Sequence, residues 1–143
     1  GVAVSSCFGS SAAHMVELSV NKEGIITVHK VVCALDCGPA VYPDAIRAQA
    51  EGGVVMGLST AFYERSSFAN GGVKTANYDD YPVLTMSEVP EIDVHIAQSR
   101  HPIGGIGEPV YPTVAPALAN AVFNATKVRI RKLPINRKLL KKG

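Results

Sequence analysis

Alternating apolar and polar residues predict a strand hairpin in the first quarter of the chain. Residues 13–20 alternate in their second half, and residues 25–34 form a second run that is rich in β-branched side chains. The four residues 21–24, Asn-Lys-Glu-Gly, separate the two runs and have the composition of a turn. Residues 1–7 resemble the later part of a further strand. We therefore expect the chain to be a fragment or a processed product.

Two later segments place apolar residues at helical spacing, one from Pro43 to about residue 63 and one over about residues 112–126. Proline suits the first position of a helix, because the N–H group it lacks has no helical partner there. Gly52, Gly53 and Gly57 interrupt the first helix, and each costs about 0.5–1 kcal/mol relative to alanine. This concentration of glycine predicts that something packs close to the backbone. Another element and a bound ligand fit this prediction equally well.

Shorter signals complete the fold prediction. Residues 70–72, Asn-Gly-Gly, are typical of a turn between two short strands, residues 91–97 alternate as a strand, and residues 128–133 predict a short closing strand. We find no internal repeat and no interdomain linker in the sequence. The order of hairpin, helix, strands, helix and strand predicts an α+β fold, with a mixed or antiparallel sheet and two main helices.

Composition places the chain among folded domains of ordinary size. It has 143 residues, of which 47% are hydrophobic and only 3 are cysteine, which excludes intrinsic disorder and a disulfide scaffold. The formal net charge is +2, but the charged residues are unevenly distributed along the chain. Residues 127–143 hold eight of the 14 basic residues and no acidic one. The rest of the chain is acidic. A nucleic-acid or acidic-surface binder acting through the basic end is therefore the least favoured function class.

Several features bear on the cellular compartment. No apolar run approaches the roughly 18 residues that cross a bilayer, and the first residues lack the basic start and long apolar run of a secretory signal. Cys7, Cys33 and Cys37 are odd in number and lack metal-ligand spacing to a histidine. We therefore expect free, buried or half-buried thiols, no protein metal ligands, and a cytoplasmic location for the chain as given.

The most unusual segment is a glycine-rich loop before the second helix. Gly104, Gly105 and Gly107 allow close backbone approach, and glycine amides suit an anion or a planar cofactor. Glu108 follows directly, and Pro109 restricts it to extended backbone geometry. An acid held in this way fits a general base over a substrate, while the alternative is a solvated glutamate in an ordinary loop.

Two other segments are candidates for cofactor contact. Gln49 precedes the paired glycines of the first helix, and its amide can donate and accept hydrogen bonds at the edge of a heterocycle. Its neighbour Glu51 fits the helix surface better, paired with Arg47 four residues earlier. Gly9 and Ser10 belong to a small-residue loop of the kind found beside cofactors, and the chain contains neither of the nucleotide-binding glycine motifs.

Taken together, these segments resemble the C-terminal part of the molybdopterin-binding large subunit of the xanthine oxidase family. Within it, the isoquinoline 1-oxidoreductase β-subunit and related aldehyde-oxidising enzymes are the most similar branch. The match extends over about residues 1–135, which we take as the domain, and residues 136–143 form a basic extension that we expect to be solvated. The matching motifs are residues 8–10, 31–41, 48–53, 57–59, 77–84, 105–108, 115–123 and 129–135.

The resemblance implies a specific chemistry. Enzymes of this family hydroxylate an electron-poor carbon of an N-heterocycle or an aldehyde with oxygen derived from water. Their cofactor is molybdenum bound to a pterin dithiolene, usually as the cytosine dinucleotide in bacteria, and no protein side chain ligates the metal. By the same resemblance, Glu108 corresponds to the general base that deprotonates the metal-bound hydroxide. The residues that the resemblance and the local patterns place at the cofactor are Gln49, Gly9, Ser10, Gly104, Gly105 and Gly107.

The resemblance also implies partners. Large subunits of the family are several times longer than this chain, and their N-terminal portion forms much of the cofactor cradle and the substrate pocket. We therefore expect the chain alone to be inactive and free of cofactor, and to act with the remainder of the large subunit and a small two-iron two-sulfur subunit. For the complete enzyme, the periplasm is the alternative compartment. The alternative to an enzyme domain is a folded remnant that self-associates through the apolar face left by the missing portion.

Overall fold

The computed structural model describes residues 1–141. Short 3-10 helices cover Tyr78–Asp80, Met86–Glu88 and Arg137–Leu140. The predicted hairpin, the two helices, the small strand pair near residue 70 and the later single strand are all confirmed. The main elements are β1 (Val2–Cys7), β2 (Ser10–Val20), β3 (Ile26–Asp36), α1 (Pro43–Phe62), β4 (Phe68–Ala69), β5 (Gly72–Val73), β6 (Glu91–Ile96) and α2 (Tyr111–Thr126).

Four of the strands form one mixed sheet in the order β1-β2-β3-β6. The pairs β1–β2 and β2–β3 are antiparallel, whereas β3 and β6 run parallel and pair residues 30–35 with residues 91–96. Because parallel strands need a crossover connection, a long segment must join β3 to β6, and α1 lies within it. This arrangement confirms an α+β fold with a mixed sheet and two main helices.

One face of β2 is the surface on which α2 packs. Ser10, Ala12, His14 and Val16 are buried and alternate with residues that are more exposed. In the antiparallel register, His14 lies opposite Cys33 of β3, which is also fully buried. A shift of the register by one residue would expose this whole set, so burial of this face specifies the strand pairing.

The two helices approach closely because α1 has glycine at the contact. A Cβ atom on Gly57 would lie 2.5 Å from the Cβ atom of Val114 in α2, and one on Gly53 would lie 3.2 Å from the Cβ atom of Val110. Gly52, by contrast, has nothing within 4 Å of its Cβ position. The sequence leaves two explanations for these glycines, packing of another element and a bound ligand. Packing of α2 explains Gly53 and Gly57, whereas no packed neighbour explains Gly52.

The hydrophobic core lies between the two helices and the sheet. Val54 and Leu58 of α1, Val114 and Leu118 of α2, and Val31 of β3 are fully buried. Burial of a side chain of this size contributes about 1.5–3 kcal/mol relative to leaving it exposed. The contact between these three elements is therefore a main source of stability.

The closing strand predicted for residues 128–133 is wrong. This segment has no strand assignment in the described structure. Val128 and Ile130 pack on the core, and the guanidinium of Arg129 lies 3.4 Å from the centre of the Phe123 ring in α2. The chain then reaches α1, where the amide of Ile135 donates to the carbonyl of Ala61 over 2.8 Å. The alternation in this segment reflects the packing of Val128 and Ile130 on the core, and a period of two does not distinguish such packing from a strand in a sheet.

The basic extension is partly packed, which corrects the expectation that it is solvated. Leu140 is buried in the core. The guanidinium of Arg137 lies 5.4 Å from the centre of the Phe62 ring and donates to the hydroxyl of Tyr63 over 3.3 Å. Lys142, the last base of the extension, lies outside the described residues. The boundary between domain and extension stays a prediction.

The cysteines are free, as the sequence predicts, with Cys33 and Cys37 buried and Cys7 half-buried. Burial raises the pKa of the Cys33 thiol to about 11, which keeps this thiol protonated at neutral pH.

Within residues 1–141, no helix combines the length and the apolar character that a membrane span requires.

We expect Gly57→Ala to lower the free energy of unfolding by about 1–3 kcal/mol, because the added methyl group overlaps Val114 and forces the helices apart. The matched variant Gly52→Ala adds the same group to open space and should raise the free energy of unfolding by about 0.5–1 kcal/mol through helix propensity. Urea unfolding followed by circular dichroism measures both. Two variants of equal stability would contradict the packing explanation.

Candidate functional site

Three loops meet at one end of the sheet. The amide of Gly105 donates to the carbonyl of Phe8 over 2.8 Å, and the amide of Gly104 donates to the carbonyl of Cys37 over 3.0 Å. The hydroxyl of Ser10 donates to the carbonyl of Gly105 over 2.6 Å. The loops thus bring together four residues that the sequence predicts for the site, namely Gly9, Ser10, Gly104 and Gly105.

The turn between β1 and β2 has left-handed backbone at both central residues, with φ of 52° at Phe8 and 76° at Gly9. A two-residue turn of this kind matches the twist of a hairpin, and glycine adopts the conformation without strain. Phe8 does not, and its side chain remains 66% exposed. The hydrogen bond from the Gly105 amide to the Phe8 carbonyl helps to hold this strained residue.

Close packing between the loops requires glycine at two positions. A Cβ atom on Gly104 would lie 2.5 Å from the carbonyl oxygen of Gly9, and one on Gly38 would lie 2.6 Å from the carbonyl oxygen of Pro102. Gly38 also has a φ of 76°, which other residues rarely adopt. The amides of Gly104 and Gly105 donate to other loops of the protein. These two glycines therefore have a structural role, and their contact with a cofactor stays a prediction.

Glu108 combines a fixed backbone with an exposed side chain. Its carbonyl accepts a hydrogen bond from the amide of Tyr111 over 3.0 Å, which closes the turn into α2. The next two residues, Pro109 and Val110, are buried, and Val110 packs on Gly53 of α1. No ion pair among residues 1–141 involves the carboxylate of Glu108. The side chain is thus available to a bound molecule while its backbone is held.

Gly107 and Gln49 are placed differently from the four packed residues. Gly107 is exposed and has nothing within 4 Å of its Cβ position, so open space lies beside Glu108. Gln49 is exposed on α1, one turn before Gly53, and lies outside the hydrogen bonds that connect the three loops. Glu51 is exposed on the same helix, in agreement with its interpretation as a surface residue.

A cleft of about 270 Å³ opens beside the turn between β1 and β2. Its lining includes Asp36 and His101, which sequence reasoning did not assign to the site. Asp36 accepts hydrogen bonds from the Ser99 hydroxyl over 2.6 Å and from the Gly38 amide over 3.0 Å, and these bonds hold the pKa of Asp36 below its ordinary value. An acid at the end of a strand, two residues before a glycine, is the sequence signal that points to this loop.

His14 connects β2 to the first turn of α2. Its side chain is buried, and Nδ1 lies 2.7 Å from the hydroxyl oxygen of Thr113. That hydroxyl donates to the carbonyl of Val110 over 3.0 Å. Burial lowers the pKa of His14 to about 4, so its ring is neutral at physiological pH. Sequence reasoning missed this contact, because its two partners are separated by 99 positions along the chain.

We expect Gly104→Ala to lower the free energy of unfolding by about 1–3 kcal/mol, because its methyl group meets the backbone of the turn between β1 and β2. Gly107→Ala is the matched control, since it adds the same group to open space in the same loop. That variant should change the free energy of unfolding by less than about 0.5 kcal/mol. Urea unfolding measures the difference, and equal stability of the two variants would argue against the loop contact at Gly104.

The buried histidine also predicts a pH-dependent stability. Because the pKa of His14 is about 4 in the folded chain and 6.5 in the unfolded chain, the unfolded chain binds the proton more tightly. The contribution of neutral His14 to the free energy of unfolding is complete above pH 6.5 and is lost as the pH falls toward 4. Between about pH 7.5 and pH 4.5, the wild-type chain should lose about 2–3 kcal/mol more unfolding free energy than His14→Leu. Urea unfolding at both pH values tests this, and equal losses would refute it.

Comparison with known proteins identifies relatives of the chain. The sequence pattern of the molybdopterin cofactor-binding domain matches residues 4–90. The beta subunit of isoquinoline 1-oxidoreductase from Brevundimonas diminuta is 35% identical over 136 residues, which cover 94% of this chain and 17% of that protein. One of the nicotinate dehydrogenase subunits from Pseudomonas putida is 37% identical over 131 residues, which cover 90% of this chain and 11% of that protein. The chain thus spans less than a fifth of the length of these relatives.

A solved structure has the same fold. Quinoline 2-oxidoreductase from Pseudomonas putida 86 superposes with a TM-score of 0.81 and 21% identity, over 91% of this chain and 18% of that one. At this identity the likeness concerns the fold alone. The matched domain pattern and the two relatives above 30% identity confirm the resemblance found in the sequence. The chain belongs to the molybdopterin cofactor-binding domains of the xanthine oxidase family.

Proposed function

We propose that this chain contributes the general base to a molybdenum hydroxylase, and that Glu108 is that base. The observation that carries the proposal is the exposed carboxylate on a fixed backbone, held by the Tyr111 amide and by the buried Pro109 and Val110. A base that is held in this way keeps its position relative to a bound substrate, and proton transfer depends on that geometry.

The surroundings of Glu108 fit a cofactor that brings its own metal ligands. Open space lies beside Gly107, and residues 1–141 contain no group of three or more histidine, cysteine or acidic residues that could hold a metal ion. A pterin dithiolene ligates molybdenum itself, and the bound metal would supply the redox chemistry and carry the oxygen derived from water. We propose the cytosine dinucleotide form of this cofactor. The residues that would hold it are Gln49, Gly9, Ser10, Gly104, Gly105 and Gly107.

The residues of the chain then have distinct tasks. Glu108 accepts, at a carboxylate oxygen, the proton that the oxygen donor loses before it reacts with the substrate. The packed loops around Ser10 and Gly105 keep the backbone in place during this transfer. The open side at Gly107 lets a bound molecule reach the carboxylate.

The substrate class is suggested by the relatives. Two of them are named for isoquinoline and nicotinate, which are N-heterocycles with electron-poor ring carbons. We therefore propose an N-heterocycle as the substrate class, with aldehydes as the second candidate. In either class, the reaction replaces a hydrogen on an electron-poor carbon by a hydroxyl group.

The sheet face opposite the helices offers a surface for the rest of the enzyme. Val2, Val4 and Met15 are 60%, 71% and 50% exposed, and Val2 pairs with Met15 in the register of β1 and β2. We propose that the remainder of the large subunit covers this face, and that a small two-iron two-sulfur subunit completes the enzyme. The isolated chain would then be inactive and free of cofactor. Self-association through the same face is the alternative for a chain on its own.

For the compartment, we propose the cytoplasm. The three free thiols support this proposal, because disulfides are rare in reducing compartments and common in oxidising ones. The periplasm is the alternative for the complete enzyme.

Glu108→Gln in the complete enzyme should lower kcat by about 10²–10⁴-fold, because the amide cannot accept the proton. Molybdenum content should stay at the wild-type level, since Glu108 is not expected to ligate the metal. Steady-state kinetics with an N-heterocycle and elemental analysis of the purified protein measure the two quantities.

Glu23→Gln is the matched control for that experiment. It makes the same chemical change at an exposed residue in the turn between β2 and β3, far along the chain from the loop. Its kcat should equal that of the wild type. Full activity of Glu108→Gln at normal molybdenum content would refute the proposed base.

A further inference from the structure

The loop that carries Glu108 is held on both sides by side chains from the buried face of β2. On one side, the Ser10 hydroxyl donates to the Gly105 carbonyl over 2.6 Å. On the other side, His14 contacts Thr113, which contacts the Val110 carbonyl. Ser10 and His14 lie four residues apart on one strand and share one face. One rigid strand therefore holds both ends of the segment between residues 105 and 110.

The directions of the hydrogen bonds follow from the chemistry of the groups. The Thr113 hydroxyl has a single proton, which it donates to the Val110 carbonyl over 3.0 Å. Toward His14 the same oxygen must accept, so the Nδ1 atom of His14 carries the proton across the 2.7 Å contact. The other ring nitrogen, Nε2, is then an acceptor. It is buried and has no hydrogen-bond partner among the residues that the structure describes.

Stability alone does not account for this arrangement. A buried polar atom without a partner lowers stability, and apolar groups of similar shape at both positions would avoid that cost. His14 and Thr113 are both nearly inaccessible to solvent, so neither is needed at the surface for solubility. Through the Thr113 hydroxyl, their contact leads to the Val110 carbonyl. Val110 follows Glu108 by two residues along the chain. That carbonyl belongs to the turn that the Tyr111 amide closes.

We propose that His14 is a positioning residue for Glu108, acting through Thr113 on the Val110 carbonyl. By fixing that carbonyl, the pair sets the orientation of the turn from residue 108 to residue 111 and hence the direction of the Glu108 side chain. This inference rests on the proposed role of Glu108 as the base. His14 itself touches neither substrate nor cofactor in this role.

The test uses the complete enzyme and two pairs of variants. His14→Leu removes the donor and Thr113→Val removes the hydroxyl at nearly unchanged volume. His14→Asn keeps an N–H donor close to the position of Nδ1, and Thr113→Ser keeps the hydroxyl, so these serve as the matched controls. We expect kcat to fall by about 10- to 100-fold in the first two variants, at a nearly unchanged KM, because displacement of a catalytic group affects the chemical step. The two controls should retain most of the wild-type kcat.

Hydrogen–deuterium exchange provides a readout that does not depend on catalysis. In the cofactor-free enzyme, peptides covering residues 104–114 should exchange faster in His14→Leu and Thr113→Val than in the wild type. Peptides from β3 should exchange at the wild-type rate. The double variant His14→Leu, Thr113→Val should have a urea midpoint equal to or above that of the wild type, since it removes the buried unpaired nitrogen.

Several results would overturn the positioning role. These are unchanged exchange of residues 104–114 in both variants, unchanged kcat in both, or a loss of protection that extends through β3 and is not rescued by the conservative controls. If Glu108→Gln abolishes activity while His14→Leu and Thr113→Val keep it, the result supports Glu108 as the base and refutes the positioning role of His14. If Glu108→Gln retains activity, the proposed function fails, and the exchange data still report whether His14 holds the loop.

Discussion

The close approach of α1 and α2 is the constraint on which the site depends. At Gly57 there is no room for a methyl group between the helices. One turn earlier, Gly53 lies on the same face of α1 and packs against Val110. Val110 immediately precedes α2 and follows Glu108 by two residues, so the spacing of the helices also sets the position of the carboxylate. The contact between His14 and Thr113 joins β2 to the first turn of α2, so it depends on the position of the same helix start.

Main-chain amides and uncharged side chains hold the loop that carries Glu108. The amides of Gly104, Gly105 and Tyr111 all donate to carbonyls within the protein. The side chains that hold the loop are uncharged: the Ser10 hydroxyl donates to the Gly105 carbonyl, and the neutral ring of His14 contacts Thr113. The shape of the loop therefore depends on strand register and on the absence of Cβ atoms more than on charged side chains. A domain built in this way can present one free carboxylate without a conspicuous cluster of ionisable residues around it.

Local patterns made much of the fold predictable from the sequence, and nonlocal contacts explain the rest. The hairpin and both helices follow from periodicity, and Glu108 stands out because glycines and a proline flank it. Residues 128–133 resemble a strand because Val128 and Ile130 pack on the core without pairing in the sheet, a distinction that depends on distant neighbours. Sequence alone does not distinguish Gly57, which packs against α2, from Gly52, which does not. His14 occupies an ordinary buried position in a strand, so its role becomes visible only when α2 is in place.

The two side-chain contacts that hold the loop join residues 95 and 99 positions apart. Their donors lie on β2, which is synthesised well before the loop. Contacts of such high sequence separation carry a large loop-closure cost, which the parallel pairing of β3 with β6 and the docking of α2 have to offset. Without the docking of α2, Thr113 does not reach His14, and this support of the loop that carries Glu108 is missing. Assembly of the site thus depends on completion of the whole topology.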